Sequence, residues 1–316
     1  MSQTPSNASD NDAGTHVHLD ELIDLRHCVG RGFWLPHRSR SPRAGGQLSH
    51  RYGRGMDYAE SRAYQPGDDV RRLDWRLTAR SGSLHTKLFQ EEREGRLLIV
   101  LDTHASMRFG TRKCFKSVQA SRVAALAGWH AVRGGQRVGL MTFGGTQQRL
   151  LSPRGGLRGA LAVCGAVAKW DSEAFDPRHL TPLSDVLRQL RSCQKSANRV
   201  LLVSDGWSCD EAARGQLLDL SRYAMVHAMI VADVLELALP PAGCYPLEYK
   251  GQAIKMNLTS QRERYAFHAS LSKGATQLQN MVRTLGLPWQ VIDTVVEPSH
   301  AVATLLRSRR GHQVCR

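Results

Sequence analysis

Two apolar runs in this sequence end on an acid. Leu97–Leu101 (LLIVL) runs into Asp102, and Val200–Val203 (VLLV) runs through Ser204 into Asp205 and Gly206. Asp102 opens the polar stretch Asp102-Thr103-His104-Ala105-Ser106, and Thr181 is a hydroxyl at the predicted start of a helix. Two carboxylates and several hydroxyls gathered at one sheet edge would form a hard-oxygen set of the kind Mg²⁺ accepts. Spacing alone leaves a plainer reading open, because aspartates at strand ends also cap the helix that follows. Other chemistries lack their residues. No G-x-S-x-G elbow, no G-x-x-x-x-G-K-[ST] loop and no H-E-x-x-H pair occurs, which argues against a nucleophilic hydrolase, an ATPase and a zincin. A divalent-metal-dependent hydrolase built on Asp102 and Asp205 is conceivable, but no poised general base accompanies them.

A second charged cluster lies earlier, at Arg62, Asp68, Asp69, Arg71, Arg72, Asp74, Trp75 and Arg80. Its alternating signs fit Asp–Arg pairs closing a turn over a buried Trp75. They also fit a partner-binding face, since Arg and Trp dominate binding hot spots.

The elements that must position these residues follow from periodicity. Asp20–Cys28 reads as a short helix, Gly30–Gly55 as an irregular loop, Pro66-Gly67 as a type II turn and Leu84–Phe89 as a strand. From Arg96 onward, short apolar strands alternate with amphipathic helices. The strands are Leu97–Leu101, Arg137–Phe143, Arg149–Leu151, Val200–Val203, Met225–Val231 and Trp289–Ile292. The helices are Ser117–Val132, Leu157–Trp170, one capped by Thr181 with Pro182 at its first position, Asp210–Arg222, Gln261–Leu285 and His300–Arg310; a hairpin around Gly251 interrupts the series. Such alternation predicts an α/β fold with a mostly parallel sheet and helices on both faces. Strand-end acids then fall on the edge where such sheets bind ligands. Expected boundaries are a disordered tail over 1–16, an N-terminal segment over 17–95, the α/β domain over 96–310 and a tail over 311–316.

Charge narrows the choice of partners. Forty-three basic against 28 acidic residues give 43 − 28 = +15, which excludes an acidic, metal-buffering protein and favours an acidic or polyanionic partner. The surplus is concentrated, with 16 Lys/Arg against 5 Asp/Glu over residues 101–200 and 3 against 7 over 201–250. Nucleic acid is the alternative partner, bound through Arg38–Arg54 and Arg307–Arg310 in a salt-sensitive, sequence-blind way. Against it, aromatics do not interleave with the basic residues as stacking would require. Seven widely spaced cysteines without a C-x-x-C pair predict a reducing, cytoplasmic setting. No run reaches the ~18–20 apolar residues of a spanning helix, and the N-terminus shows no signal-peptide pattern.

The stretch from Gly53 to Gly110, with Tyr64-x-Pro66-Gly67-Asp68-Asp69, Leu73-Asp74-Trp75, Ala79-Arg80 and the apolar strand entering Asp102, resembles the family of unknown function DUF58. A looser likeness, including Val231-Ala232-Asp233-x-x-Glu236, continues to about Arg310. Members often carry two N-terminal membrane helices, and this chain is similar to the short soluble kind. The resemblance implies a von Willebrand factor A-like fold with a metal-ion-dependent adhesion site. In such sites a D-x-S-x-S loop, a threonine and a second aspartate hold one divalent ion, and a partner's carboxylate completes its shell. Matched here, the ligands are Asp102, Ser106, Thr181 and Asp205, with Mg²⁺ or Mn²⁺ or no ion at all as the cofactor.

His104 stands where the first serine belongs. An imidazole is a poor Mg²⁺ ligand, which leaves three outcomes: a degenerate empty site, a water in the serine's place, or a softer ion bound through nitrogen. The ring could instead point to solvent or bond Asp205, and if protonated it could stand in for the cation. The resemblance further implies a non-catalytic adaptor that works with a MoxR-type AAA+ ATPase in chaperone-like assembly or maturation of other complexes. An acidic protein client would fit the charge.

Overall fold

In the computed structural model, the residues described are 14–30, 56–91, 95–144, 148–172, 180–193, 197–249 and 252–308. They fall into two compact units, residues 37–94 and residues 1–36 with 95–316. The expected loop over Gly30–Gly55 and the tail over 311–316 lie almost wholly or wholly outside the described residues.

The smaller unit pairs β1 (Met56–Ala63) with β2 (His85–Glu91) antiparallel, with the helix Trp75–Ser81 between them in sequence. The helix Leu19–Asp24, numbered α1, belongs to the larger unit, so Trp75–Ser81 is α2. The predicted turn forms: Asp68 N–H donates to the Gln65 carbonyl at 3.0 Å and Gly67 has φ 105°, the positive value that a type II turn demands. Periodicity did not predict β1. Its sequence MDYAESRA lacks the β-branched alternation that marks a strand, and the ladder to β2 supplies what local propensity does not.

The larger unit is built on a six-stranded sheet. Its strands are β3 (Arg96–Asp102), β4 (Arg137–Phe143), β5 (Arg149–Arg154), β6 (Arg199–Ser204), β7 (Met225–Ala232) and β10 (Trp289–Asp293), in the order β10-β7-β6-β3-β4-β5. All neighbours run parallel except β4 and β5. A separate hairpin joins β8 (Gly243–Tyr249) and β9 (Gln252–Leu258).

The central strands are apolar at successive positions because both faces are covered. Leu97, Ile99 and Leu101 of β3 pack on the side of α1, α3 (Lys116–Arg133), α4 (Gly156–Asp171) and α10 (Ser299–Arg307). Leu98 and Val100 pack on the side of α5 (Leu183–Cys193), α6 (Glu211–Ser221) and α9 (Lys273–Thr284). The order of strands reverses between β3 and β6, and a crevice at such a switch point is where open α/β sheets bind ligands. Asp102 closes β3 and Asp205 follows β6.

Local expectations needed correction in three places. Residues 14–16, assigned to a disordered tail, are tied down: Phe115 N–H donates to the Gly14 carbonyl at 2.8 Å, and His16 Nδ1 lies 3.2 Å from Asp171. The long helix predicted over Gln261–Leu285 breaks at Ser272 into α8 (Gln261–Leu271) and α9. Just past the break, Gly274 lies so close to the loop after β6 that a Cβ would meet the Asp205 carbonyl and the Trp207 amide. Third, α5 begins at Leu183, one residue later than a helix with Pro182 at its first position would. The first amides of that helix go to the Ser208 carbonyl (Leu183 N–H, 2.8 Å) and to the Asp210 carboxylate (Ser184 N–H, 3.0 Å).

Candidate functional site at the sheet switch point

Asp102 is fully buried and accepts from four donors. The His104 amide (3.0 Å) and His104 Nδ1 (2.6 Å) reach Oδ1, and the hydroxyls of Ser204 (2.5 Å) and Ser208 (3.2 Å) reach Oδ2. Ser204 in turn accepts from the Gly206 amide at 2.9 Å. Its carboxylate lone pairs are thus committed to the chain's own donors.

His104 neither faces solvent nor bonds Asp205, as the sequence reading allowed. It is buried, packs edge-on against Phe143 with ring centroids 5.5 Å apart, and its Nε2 accepts the Thr181 amide at 2.9 Å. The neutral ring therefore carries its proton on Nδ1, toward Asp102, and has no lone pair left for an ion. Burial works against an imidazolium here, but the hydrogen bond and charge of Asp102, and then the charge of Asp205, outweigh it and raise the His104 pKa.

Space for the ring comes from Gly144, whose φ is +93° and whose Cβ, were there one, would run into the imidazole. Gly144→Ala should lower stability by about 2–4 kcal/mol, combining backbone strain with overpacking. His104→Ser should recover at least ~1 kcal/mol of that loss in a double-mutant cycle of urea unfolding. Full additivity would show that the two positions do not share the space.

Asp205 is held from the other side. Its Oδ1 accepts the Trp207 amide at 3.1 Å, and its Oδ2 lies 2.9 Å from the ammonium of Lys116. That ammonium also lies 2.8 Å from Glu236 Oε1 and 5.6 Å from the centroid of the Phe109 ring. Glu236 Oε2 accepts the Asp233 amide at 2.7 Å, closing a capping box at the start of α7 (Val234–Leu237). Burial opposes the charge on Lys116, yet the two carboxylates beside it hold its ammonium above the usual lysine range.

Neither Lys116 nor Glu236 was singled out as a site residue in the sequence. Glu236 was legible as the far end of the pattern Asp233-x-x-Glu236, a capping-box spacing. Lys116 left a fainter mark: a cation on the first residue of a helix, where the macrodipole disfavours it.

Whether this set could hold a divalent ion can be judged from its donors. Ser106 Oγ is buried without a hydrogen-bond partner among the described residues, and it alone favours an ion. Asp102 is saturated, His104 Nε2 is occupied, and Thr181 reaches His104 through its backbone amide. An ion touching Asp205 would also meet the Lys116 ammonium. Two unit charges 4 Å apart interact by about 4 kcal/mol at an effective dielectric of about 20, and a divalent ion doubles that repulsion. The residues do not fit Mg²⁺ or Mn²⁺. Among the described residues no group of three or more His, Cys, Asp or Glu side chains is arranged to hold a metal.

The charged cluster of residues 62–80 belongs to the smaller unit. Arg62 bonds Asp68 at 2.7 Å, Asp69 accepts the Arg71 amide at 3.0 Å, and Asp74 accepts both the Leu77 amide (3.2 Å) and the Ser61 hydroxyl (2.8 Å). These acids close turns and cap helices, as the structural reading expected. Trp75 departs from it, being 67% exposed rather than a buried anchor. On the same helix and the facing strand, Asp74, Arg76, Leu77, Arg80 and Lys87 line an open cavity of about 390 Å³.

A mostly parallel sheet, with an antiparallel edge strand and acids at the two strand ends flanking its switch point, is the doubly wound α/β arrangement expected of a von Willebrand factor A-like fold, and here both acids are bonded by the chain's own groups. The chain belongs to the family described as "Protein of unknown function DUF58", which matches residues 60–279. Uncharacterized proteins of Mycobacterium tuberculosis and Mycobacterium bovis are similar to it, 29% identical over 191 residues, which are 60% of this chain and 59% of theirs. The chain therefore spans about three-fifths of the length of these curated relatives.

Among solved structures, it is similar to BatB from Bacteroides thetaiotaomicron (12% identity, 67% of this chain and 97% of that one, TM-score 0.39). It is also similar to an Rpn10 VWA domain (8%, 67% and 94%, 0.34) and to proximal thread matrix protein 1 from the mussel byssus, solved with a zinc-occupied MIDAS motif (14%, 45% and 39%, 0.32). Among the described residues, no helix is long and apolar enough to cross a membrane.

Proposed function

We propose that this chain is a non-catalytic, protein-binding adaptor that engages an acidic segment of its partner through the smaller unit. In the cell the partner is a MoxR-type AAA+ ATPase, as the family resemblance implies, and the pair acts in chaperone-like assembly or maturation of other complexes in the cytoplasm. The observation that carries the reading is the exposed Trp75 on the same short helix as Arg76 and Arg80, which with Lys87 line a cavity holding a single carboxylate, Asp74. That carboxylate is already engaged by Ser61 and Leu77, which hold its pKa below the usual range. Three cations and an indole offer an acidic, partly apolar segment both charge complementarity and a hot-spot anchor. Against catalysis, both strand-end acids are buried and bonded to the chain's own donors, so neither is poised to exchange a proton with a substrate.

The test is co-purification with the MoxR-type ATPase of the same organism. Wild-type protein should retain it. Arg76→Glu/Arg80→Glu and Trp75→Ala should each weaken capture at least ~tenfold, corresponding to the loss of about 1.4 kcal/mol or more, with circular dichroism unchanged. Equal capture by wild type and both variants, or none by wild type, would sink the assignment.

A further inference from the structure

We propose that Lys116 is a built-in cation that takes the electrostatic place of a divalent ion, so that the strand-end loops of this chain close without metal. The geometry rests on four elements. Lys116 begins α3, Asp205 follows β6, Glu236 lies in α7, and Phe109 sits in the loop after β3. The ammonium is within 2.9 Å of Asp205 and 2.8 Å of Glu236, and the three side chains are 1%, 0% and 3% exposed.

Each carboxylate oxygen of the pair has a donor. Asp205 takes Lys116 and the Trp207 amide, and Glu236 takes Lys116 and the Asp233 amide. A buried ion pair persists only when its remaining hydrogen-bonding capacity is met in this way. Removing the lysine would leave two carboxylates buried with no counter-charge.

Tethering explains why a lysine can displace an ion. A divalent ion must shed water and hold several oxygens at once, and Mg²⁺ gives up its water reluctantly. An ammonium on a side chain is already in place, needs only three acceptors and cannot dissociate. Its charge is smaller, and the neighbouring acid is served differently: Asp102 is satisfied by two serine hydroxyls and by His104 rather than by an ion. The substitution of His104 for serine and the presence of Lys116 are therefore two halves of one arrangement, one bonded to each strand-end acid.

Mn²⁺ and Mg²⁺ binding, followed on the whole chain, tests this. Wild-type protein dialysed against millimolar Mn²⁺ should retain far less than one equivalent by metal analysis. Its melting temperature should be the same with Mn²⁺, with Mg²⁺ and with EDTA. Lys116→Ala should melt about 10 °C lower, the shift expected for a stranded buried charge in a domain of this size. Millimolar Mn²⁺ should restore part of that loss in Lys116→Ala, and should not do so once Asp205→Asn and Glu236→Gln are added. One retained equivalent of metal in the wild type, a wild-type melting temperature that EDTA lowers, or a Lys116→Ala protein as stable as wild type would overturn the proposal. Should Lys116→Ala fail to fold, the wild-type metal analysis and EDTA comparison decide by themselves.

Discussion

Between pH 7.5 and pH 5 two buried histidines that stay neutral in the fold should together remove about 4 kcal/mol of stability. His130 in α3 and His227 in β7 are each depressed to about 4, by burial first. Arg307 and Arg133 add to the effect at His130, and Arg199 adds to it at His227 against an opposing hydrogen bond to the Ser308 carbonyl. In the unfolded chain both return to a value near 6.5. At pH 5 the unfolded state therefore binds more protons than the folded one, and stability falls as the pH drops from about 6.5 to about 4. Each residue contributes about 2 kcal/mol of the loss by pH 5 and about 3 kcal/mol at the acid limit. Set against a typical total of about 5–15 kcal/mol, this brings the domain close to unfolding.

His104 works with the opposite sign, since its raised pKa adds stability below its unfolded value and loses it as the pH rises through its folded one. Urea unfolding at the two pH values should show the loss in the wild type and most of it removed in His130→Gln/His227→Gln. A double variant with an unchanged pH slope would place the acid sensitivity elsewhere.

Asp102→Ala should cost about 3–5 kcal/mol, the penalty for removing one partner of a buried, fully hydrogen-bonded charge. The substitution leaves the hydroxyls of Ser204 and Ser208 and two groups of His104 without their acceptor. An aspartate waiting for an ion would behave in the opposite way, because deleting one of two mutually repelling carboxylates relieves the metal-free protein. The sign of the change in the urea midpoint, measured in EDTA, therefore separates a closed site from an open one. Asp102→Asn keeps the shape but turns one accepting oxygen into a donor facing donors, so it should recover only a small part of the loss.

The smaller unit shows where sequence reasoning reached its limit in the fold. The turn at Pro66-Gly67 was legible because Pro and Gly fix backbone angles residue by residue. Strand β1 was not, because its partner β2 is far along the chain and pairing, rather than local composition, makes it a strand. For Trp75 the sequence left two readings open, a buried anchor and a partner-binding face, because an amphipathic side chain can serve a core or a partner and seven residues of helix do not say which side is covered.

At the candidate site, the sequence determined which residues end the two central strands. A doubly buried strand must be apolar throughout, so the first carboxylate marks its end, and alternation with helices puts both ends on one edge. Asp102 and Asp205 were identifiable on that basis, whereas the oddity of an imidazole at His104 in place of a hydroxyl came from the family resemblance. Beyond their local bonds to His104 and Trp207, the distant partners of those acids were decided by tertiary structure alone. Lys116 and Glu236 are 89 and 31 residues away from Asp205 along the chain (205 − 116 and 236 − 205), and Ser204 and Ser208 are 102 and 106 away from Asp102. No local pattern encodes contacts at such separations. They arise when packing excludes water and each buried charge must find its partner within the chain.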